Sequence, residues 1–203
     1  MTSQNDISIN LIVPHNKINI FIPIIQKGFF IKTYIGTSIM EFLLQCGLSE
    51  EYILNNIKTV FLDCKPVDDL NNTFIKNNST LSLSGAMPGL VGAVMRIKSP
   101  FQSFRNTISY PMKLNESTTA TKKEGLVTIK LFNTVLSDNV MLFLTRGIFI
   151  VGSTLLSLIK ENKSVFKKNI IHYKGNILQN SAAVTLLSRH QNDLIYVKVA
   201  VVD

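Results

Sequence analysis

One pattern occurs twice in this chain, and it limits the available folds more than any single motif does. An apolar extended run leads into a glycine with two hydroxyl residues and then into an amphipathic helix. The first copy runs from Gly28-Phe-Phe-Ile to Gly36-Thr-Ser-Ile-Met-Glu-Phe-Leu-Leu. The second runs from Arg146-Gly-Ile-Phe-Ile to Gly152-Ser-Thr-Leu-Leu-Ser-Leu-Ile. Two further correspondences follow in the same order. Thr59-Val-Phe-Leu-Asp-Cys-Lys-Pro-Val parallels Ile170-Ile-His-Tyr-Lys-Gly-Asn-Ile-Leu, and Asn78-Ser-Thr-Leu-Ser-Leu parallels Asn192-Asp-Leu-Ile-Tyr-Val. Identity is low, yet strands and turns recur in register, which marks a diverged structural duplication.

The local signals fill in each copy. Ile7–Val13 and Ile18–Ile25 are rich in β-branched residues and read as strands on either side of a Pro14-His15-Asn16-Lys17 turn. Phe29–Ile35 is a further extended run. Ser38 and Glu41 have the spacing of a capping box, and Ile39, Phe42 and Leu43 share one helical face. Cys46 continues that stripe, and Gly47 stands where a left-handed helix end is wanted. Ser49 caps a second short helix up to Asn56. Lys58–Asp63 and Ser79–Ser84 are strands, with Cys64-Lys65 at a tight turn between them. In the second copy, Val127–Phe132, Met141–Leu144, Gly147–Ile150, Asn169–Tyr173 and Asp193–Val202 read as extended, with a helix after Gly152.

Between the copies the composition changes. Residues 98–124 are rich in Ser, Thr, Asn and Lys, and apolar periodicity lapses, so they read as a basic polar linker. The expected organisation is α+β: a first domain over 1–97, the linker 98–124 and a divergent second domain over 125–203. The net charge of +8 is not evenly spread. Residues 1–90 hold six lysines against seven acids, so the whole excess lies in the linker and the second half. A basic excess of this kind attracts nucleic acid or an acidic protein face.

Several classes are disfavoured. Met1–Asp6 is polar without a basic n-region, so no secretory signal is expected. The most apolar window, Val135–Ile159, contains Asp138, Asn139, Arg146 and Gly147. Each mid-span charge costs roughly 2.5–3.5 kcal/mol on insertion, so no membrane association is expected. Cys46 and Cys64 fit no zinc or redox spacing and read as reduced thiols of a cytoplasmic protein. Asp68 and Asp69 read as solvated turn residues. His15, His172 and His190 have no partner at metal-binding spacing. No phosphate-binding loop or nucleophile elbow occurs. No catalytic residue, metal or cofactor is therefore assigned, and no enzyme activity is expected.

The segment from Thr59 through Cys64-Lys65-Pro66-Val67 to Asn78-Ser-Thr-Leu-Ser-Leu resembles the second half of ubiquitin-like β-grasp proteins, particularly the sulfur carriers of the molybdopterin and thiamine pathways. Those families carry a strand, an "nGkpv" turn, a polar stretch and a strand leading into the tail. Cys64 stands here at the usual glycine. Val127-Thr-Ile-Lys-Leu-Phe is similar to a carrier's first strand. The resemblance implies two tandem β-grasp domains, each a mixed sheet packed on one main helix. Carriers and modifiers of this kind end in Gly-Gly, whereas this chain ends Val201-Val202-Asp203. Gly85, Gly89 and Gly92 occupy the tail position after the first domain and are the candidate processing positions.

Three functions follow from this reading. The first is a non-catalytic ubiquitin-like module that binds a protein, such as an activating or conjugating enzyme or an enzyme complex. The second is a precursor of a modifier or sulfur carrier, released by cleavage after Gly89 or Gly92. The third is RNA binding through basic and aromatic residues, with Phe101, Phe104 and Arg105 among them. The candidate interaction segment is apolar and basic together: Met87, Leu90, Val94, Met95 and Arg96, then Phe101, Phe104 and Arg105.

Overall fold

A computed structural model of the chain describes residues 7–111, 123–166 and 171–202. The first repeat contains β1 (Ile7–Pro14), a 3-10 segment His15–Phe21, α1 (Ile22–Lys27), β2 (Phe29–Tyr34), α2 (Ile39–Gln45), α3 (Glu50–Asn56), β3 (Thr59–Leu62), β4 (Lys65–Pro66) and β5 (Thr80–Ser84). Then come α4 (Gly89–Met95) and a 3-10 turn at Gln102–Arg105. The second repeat contains β6 (Glu124–Phe132), α5 (Asn133–Arg146), β7 (Ile148–Val151), α6 (Gly152–Glu161), β8 (Ile171–Tyr173), β9 (Asn176–Leu178), α7 (Asn180–Arg189) and β10 (Leu194–Val202). The fold is α+β with mixed parallel and antiparallel pairing.

The chain forms two compact units. A central unit comprises Phe30–Asn139, and a terminal unit comprises Met1–Phe29 with Val140–Asp203. The division expected from the sequence, 1–97 and 125–203, follows the repeats. The compact units follow strand pairing instead.

In the central unit the strands run in the order β4-β3-β5-β6-β2. β3 lies antiparallel to β5, with Val60 opposite Leu83 and Leu62 opposite Leu81. β5 lies parallel to β6, with Leu81 opposite Ile129 and Leu83 opposite Leu131. All six of these aliphatic side chains are fully buried, because the two-residue period of a strand sends them to one face. Ile39, Phe42 and Leu43 of α2 and Ile53 of α3 join that core. Each such side chain withdrawn from water contributes about 1.5–3 kcal/mol.

The helix ends follow the sequence signals. Ser38 Oγ accepts the Glu41 N–H at 3.1 Å, and Ser49 Oγ accepts that of Tyr52 at 3.1 Å. Gly47, at φ +95°, ends α2 in the left-handed conformation that favours glycine. Asp63 and Cys64 form the two-residue loop between β3 and β4, both at positive φ (50° and 65°). That is a type I′ turn, whose twist matches the flanking strands.

In the terminal unit the order is β7-β10-β1-β8-β9. β1 and β10 are parallel over their length, from Ile7 opposite Ile195 to Pro14 opposite Val202. β7 lies antiparallel to β10, and β8 antiparallel to β1. β8 and β9 close through Lys174 (φ 50°) and Gly175 (φ 79°), repeating the turn at Asp63-Cys64. Leu155, Leu158 and Ile159 of α6 and Ala183 and Leu187 of α7 are buried.

Two segments expected to be extended are helical. Ile18–Ile25 forms the 3-10 segment and most of α1. Its buried positions Ile18, Phe21, Ile24 and Ile25 have helical spacing, and Pro23 sits in the first turn, where its missing N–H costs nothing. Met141–Leu144 lies inside α5, where Leu136, Val140, Phe143 and Leu144 are buried at helical intervals. In both cases a β-branched or apolar run masked a helical period.

Candidate functional site

The interaction segment belongs to the central unit. Of the expected linker, residues 98–111 are ordered around one side chain, and residues 112–122 lie outside the described residues. Arg105 is fully buried (0% exposed), so the basic residue expected to face a partner is instead a structural staple. Its Nε donates to the Val94 carbonyl at 2.7 Å and its Nη1 to Ser109 Oγ at 2.8 Å. Nη2 donates to Asp68 Oδ1 at 2.7 Å and to the Arg96 carbonyl at 3.1 Å. The planar guanidinium thereby ties α4, the bend at Arg96 and the Ser109 turn to the Asp68 loop. Ile97 N–H donates to the Lys58 carbonyl at 2.8 Å, and Tyr110 N–H to that of Pro66 at 2.8 Å.

What this staple holds out is apolar. Leu90 is 72% exposed, Val91 68% and Phe104 79%. Phe101 is also exposed, and its ring lies 6.4 Å from that of Phe104. Met87, Val94 and Met95 are half-buried, and Arg96 is exposed. No Asp or Glu occurs between residues 86 and 111. The structure thus gathers seven of the eight candidate residues on the stapled segment's surface or its partly covered side and withdraws the eighth, Arg105.

Two of the three tail glycines have local packing reasons and the third a conformational one. A Cβ on Gly85 would run into the Thr134 side chain, and one on Gly92, inside α4, into the Met87 carbonyl. Gly89 opens α4 at φ +76°.

Beside the segment lies a cleft of about 680 Å³, lined by Ile57, Leu70 and Ile97 and, at its rim, Lys58, Arg96 and Lys98. Leu54, 58% exposed, also lines it. The two carboxylates in the lining are occupied. Asp68 Oδ1 takes Arg105 and the Lys98 N–H (2.9 Å), and Asp69 takes the N–H groups of Asn71 and Asn72 and the Asn72 amide. The Asn72 amide holds the Asp69 carboxyl below its ordinary range against the opposing effect of burial. By its local sequence Asp68 reads as a solvated turn residue. Its partner is 37 positions away, and no local pattern announces the pair.

The other titratable candidates do not converge on chemistry. Cys64 is exposed at its turn and Cys46 is buried. His15 lies in the first 3-10 segment and His172 in β8, while His190 meets Asp193 at 2.7 Å after α7. Among the described residues, no three His, Cys, Asp or Glu side chains gather in a way that could hold a metal ion. None of the described helices is long and apolar enough to cross a membrane. No family model, curated protein or solved structure matches the chain.

Proposed function

We propose that the chain is a non-catalytic protein-binding module that docks through the stapled segment of its central unit. The carrying observation is the exposure of Leu90, Val91, Phe101 and Phe104 on a segment whose backbone is fixed from below by a buried arginine. A buried charge with four acceptors is a large investment in holding one surface in one shape. Preorganised aromatic and aliphatic side chains are what a binding hot spot requires, since little ordering entropy remains to be lost on contact.

A ubiquitin-like origin is part of this reading. In the central unit, a parallel pair at the centre (β5 and β6), an antiparallel β3 and a short β4 at one edge support a β-grasp, with β6 in the first-strand position. The recurring element order supports the same ancestry for the second repeat. A cytoplasmic setting, where Cys46 and Cys64 stay reduced, fits it.

The test is affinity capture from the protein's own cells with Leu90→Ser/Phe104→Ser beside the wild type. Deleting the segment is unsuitable because Arg105 would leave with it. Partners held by the wild type should bind the double variant at least about tenfold more weakly, the usual effect of removing hot-spot side chains. Retention of every partner at full affinity would refute the proposal.

A further inference from the structure

We infer that the cleft beside the stapled segment receives an acidic, apolar-flanked peptide segment of the partner protein; this rests on the docking reading above. Three features set the occupant's chemistry. The first is the floor of Ile57, Leu70 and Ile97, with Leu54 exposed at the edge, which calls for one or two aliphatic or aromatic side chains. The second is the cationic rim. Lys58 and Arg96 form no ion pair among the described residues, and Lys98 lies near an Asp69 whose oxygens are already taken. A carboxylate arriving at that rim meets positive charge that the fold has not neutralised. The third is a pair of carboxylates in the same lining, Asp68 and Asp69, which sit with Asn71 and Asn72 beside Lys98 and are already engaged within the fold.

Those carboxylates decide between polyanions and peptides. A nucleic-acid strand carries phosphate at every step and would have to pass the fixed carboxylates as well as the cations. A peptide places charge at single positions, so one carboxylate can meet the Lys58, Arg96 or Lys98 side chains while uncharged groups lie against Asp68, Asp69 and the two asparagines. A lipid surface is planar and cannot follow a recess of about 680 Å³. The recess is of the size that takes a few side chains. Arg96 belongs to both the stapled segment and the cleft rim, so a peptide in the cleft continues directly from contacts on that surface.

The test is selection from a displayed library of random short peptides against the full chain at physiological salt. The expected outcome is enrichment of Asp or Glu next to Leu, Ile or Phe. Binding of the selected peptides should fall at least about tenfold with Arg96→Glu/Lys98→Glu. Both side chains are exposed, and their ties to Arg105 and Asp68 run through backbone atoms, so the staple survives. Lys17→Glu/Lys160→Glu, an equal charge change on exposed residues of the terminal unit, should leave binding intact. No acidic enrichment, equal losses in both double variants, or retention of phosphatidylserine vesicles through Arg96 and Lys98 in place of peptides would each overturn the inference. The two readings fail separately. Partner loss in Leu90→Ser/Phe104→Ser with a failed selection removes only the cleft occupant. Full partner retention in that variant removes the docking surface itself.

Discussion

Arg105 shows how one residue turns a linker-like stretch into structure. Its surroundings in sequence, Ser103-Phe104-Arg105-Asn106-Thr107, look solvated, and a lysine could not replace it. Five N–H donors in a rigid fork reach Val94, Arg96, Ser109 and Asp68 at once, whereas an ammonium offers three donors from one point. Removing one member of a buried, hydrogen-bonded ion pair costs about 3–5 kcal/mol. Asp68 remains partly open to water, with 28% of its side chain exposed, so Arg105→Met should fall at the lower end of that range. The variant should unfold at clearly lower urea and lose hydrogen-exchange protection at Ile97 and Tyr110, whose amides the staple helps hold to Lys58 and Pro66. An unchanged midpoint would mean that the guanidinium is not the anchor. Nothing in the sequence distinguishes this arginine from an exposed one, because apolar periodicity carries no information about polar side chains that meet across 37 positions.

At the scale of elements, α3 is seven residues long and buries only Ile53, too short to persist by itself. The Ser49 cap and a hydrogen bond from the Tyr52 hydroxyl to Asp138 Oδ2 at 2.8 Å tie it down. Partial burial, reinforced by that hydrogen bond and the Asp138 charge, pushes the Tyr52 hydroxyl up from 10.0 to about 12. A group whose folded pKa is raised contributes stability below its unfolded pKa and loses it as pH rises through the folded value. Stability should therefore decline between pH 10.0 and about 12, and Tyr52→Phe should flatten that part of the curve. Ultraviolet titration of the phenolates checks this directly. Tyr196 is also pushed up by burial, so the transition at about 12 counts as that of Tyr52 only if the Phe variant removes it. The elements legible in the sequence are those with terminal chemistry: Ser38, Ser49 and Gly47 mark helix ends, and the turn expected at Cys64-Lys65 falls one residue earlier, at Asp63-Cys64. α7 and α4 carried no such mark. In both, the residue before the first helical turn caps nothing with its side chain.

Across the whole chain, the sequence pattern marks most of the strands and takes Ile18–Ile25 and Met141–Leu144 for two more, but does not tell which ones pair. Each repeat begins with a strand that lies parallel to the last strand of the other repeat: β1 with β10, and β6 with β5. Alternating burial on β1 or β6 is the same whichever parallel neighbour it has, so sequence pattern cannot separate an exchanged strand from one kept at home. The consequence is topological. β1 is internal in the terminal unit, flanked by β10 and β8, although its sequence neighbours β2 through β5 lie in the central unit. Ile9, Leu11 and Val13 are fully buried there, so losing β1 opens the core between β10 and β8. Deleting residues 1–14 should strip hydrogen-exchange protection from β8 and β10, far away in sequence, before it touches β3 and β5. Strands kept within their own repeats would give the reverse: deprotection of β3 and β5 with β8 and β10 intact. Exchange measured peptide by peptide separates the two, because β3 and β5 end at Ser84 and β8 and β10 begin only at Ile171, so no peptide spans both sets. Pairing over such separations also delays folding, since loop closure must precede any gain from β1 meeting β10. Refolding of the full chain should therefore be slower than the short helices alone would suggest, with protection of β1 and β10 appearing together.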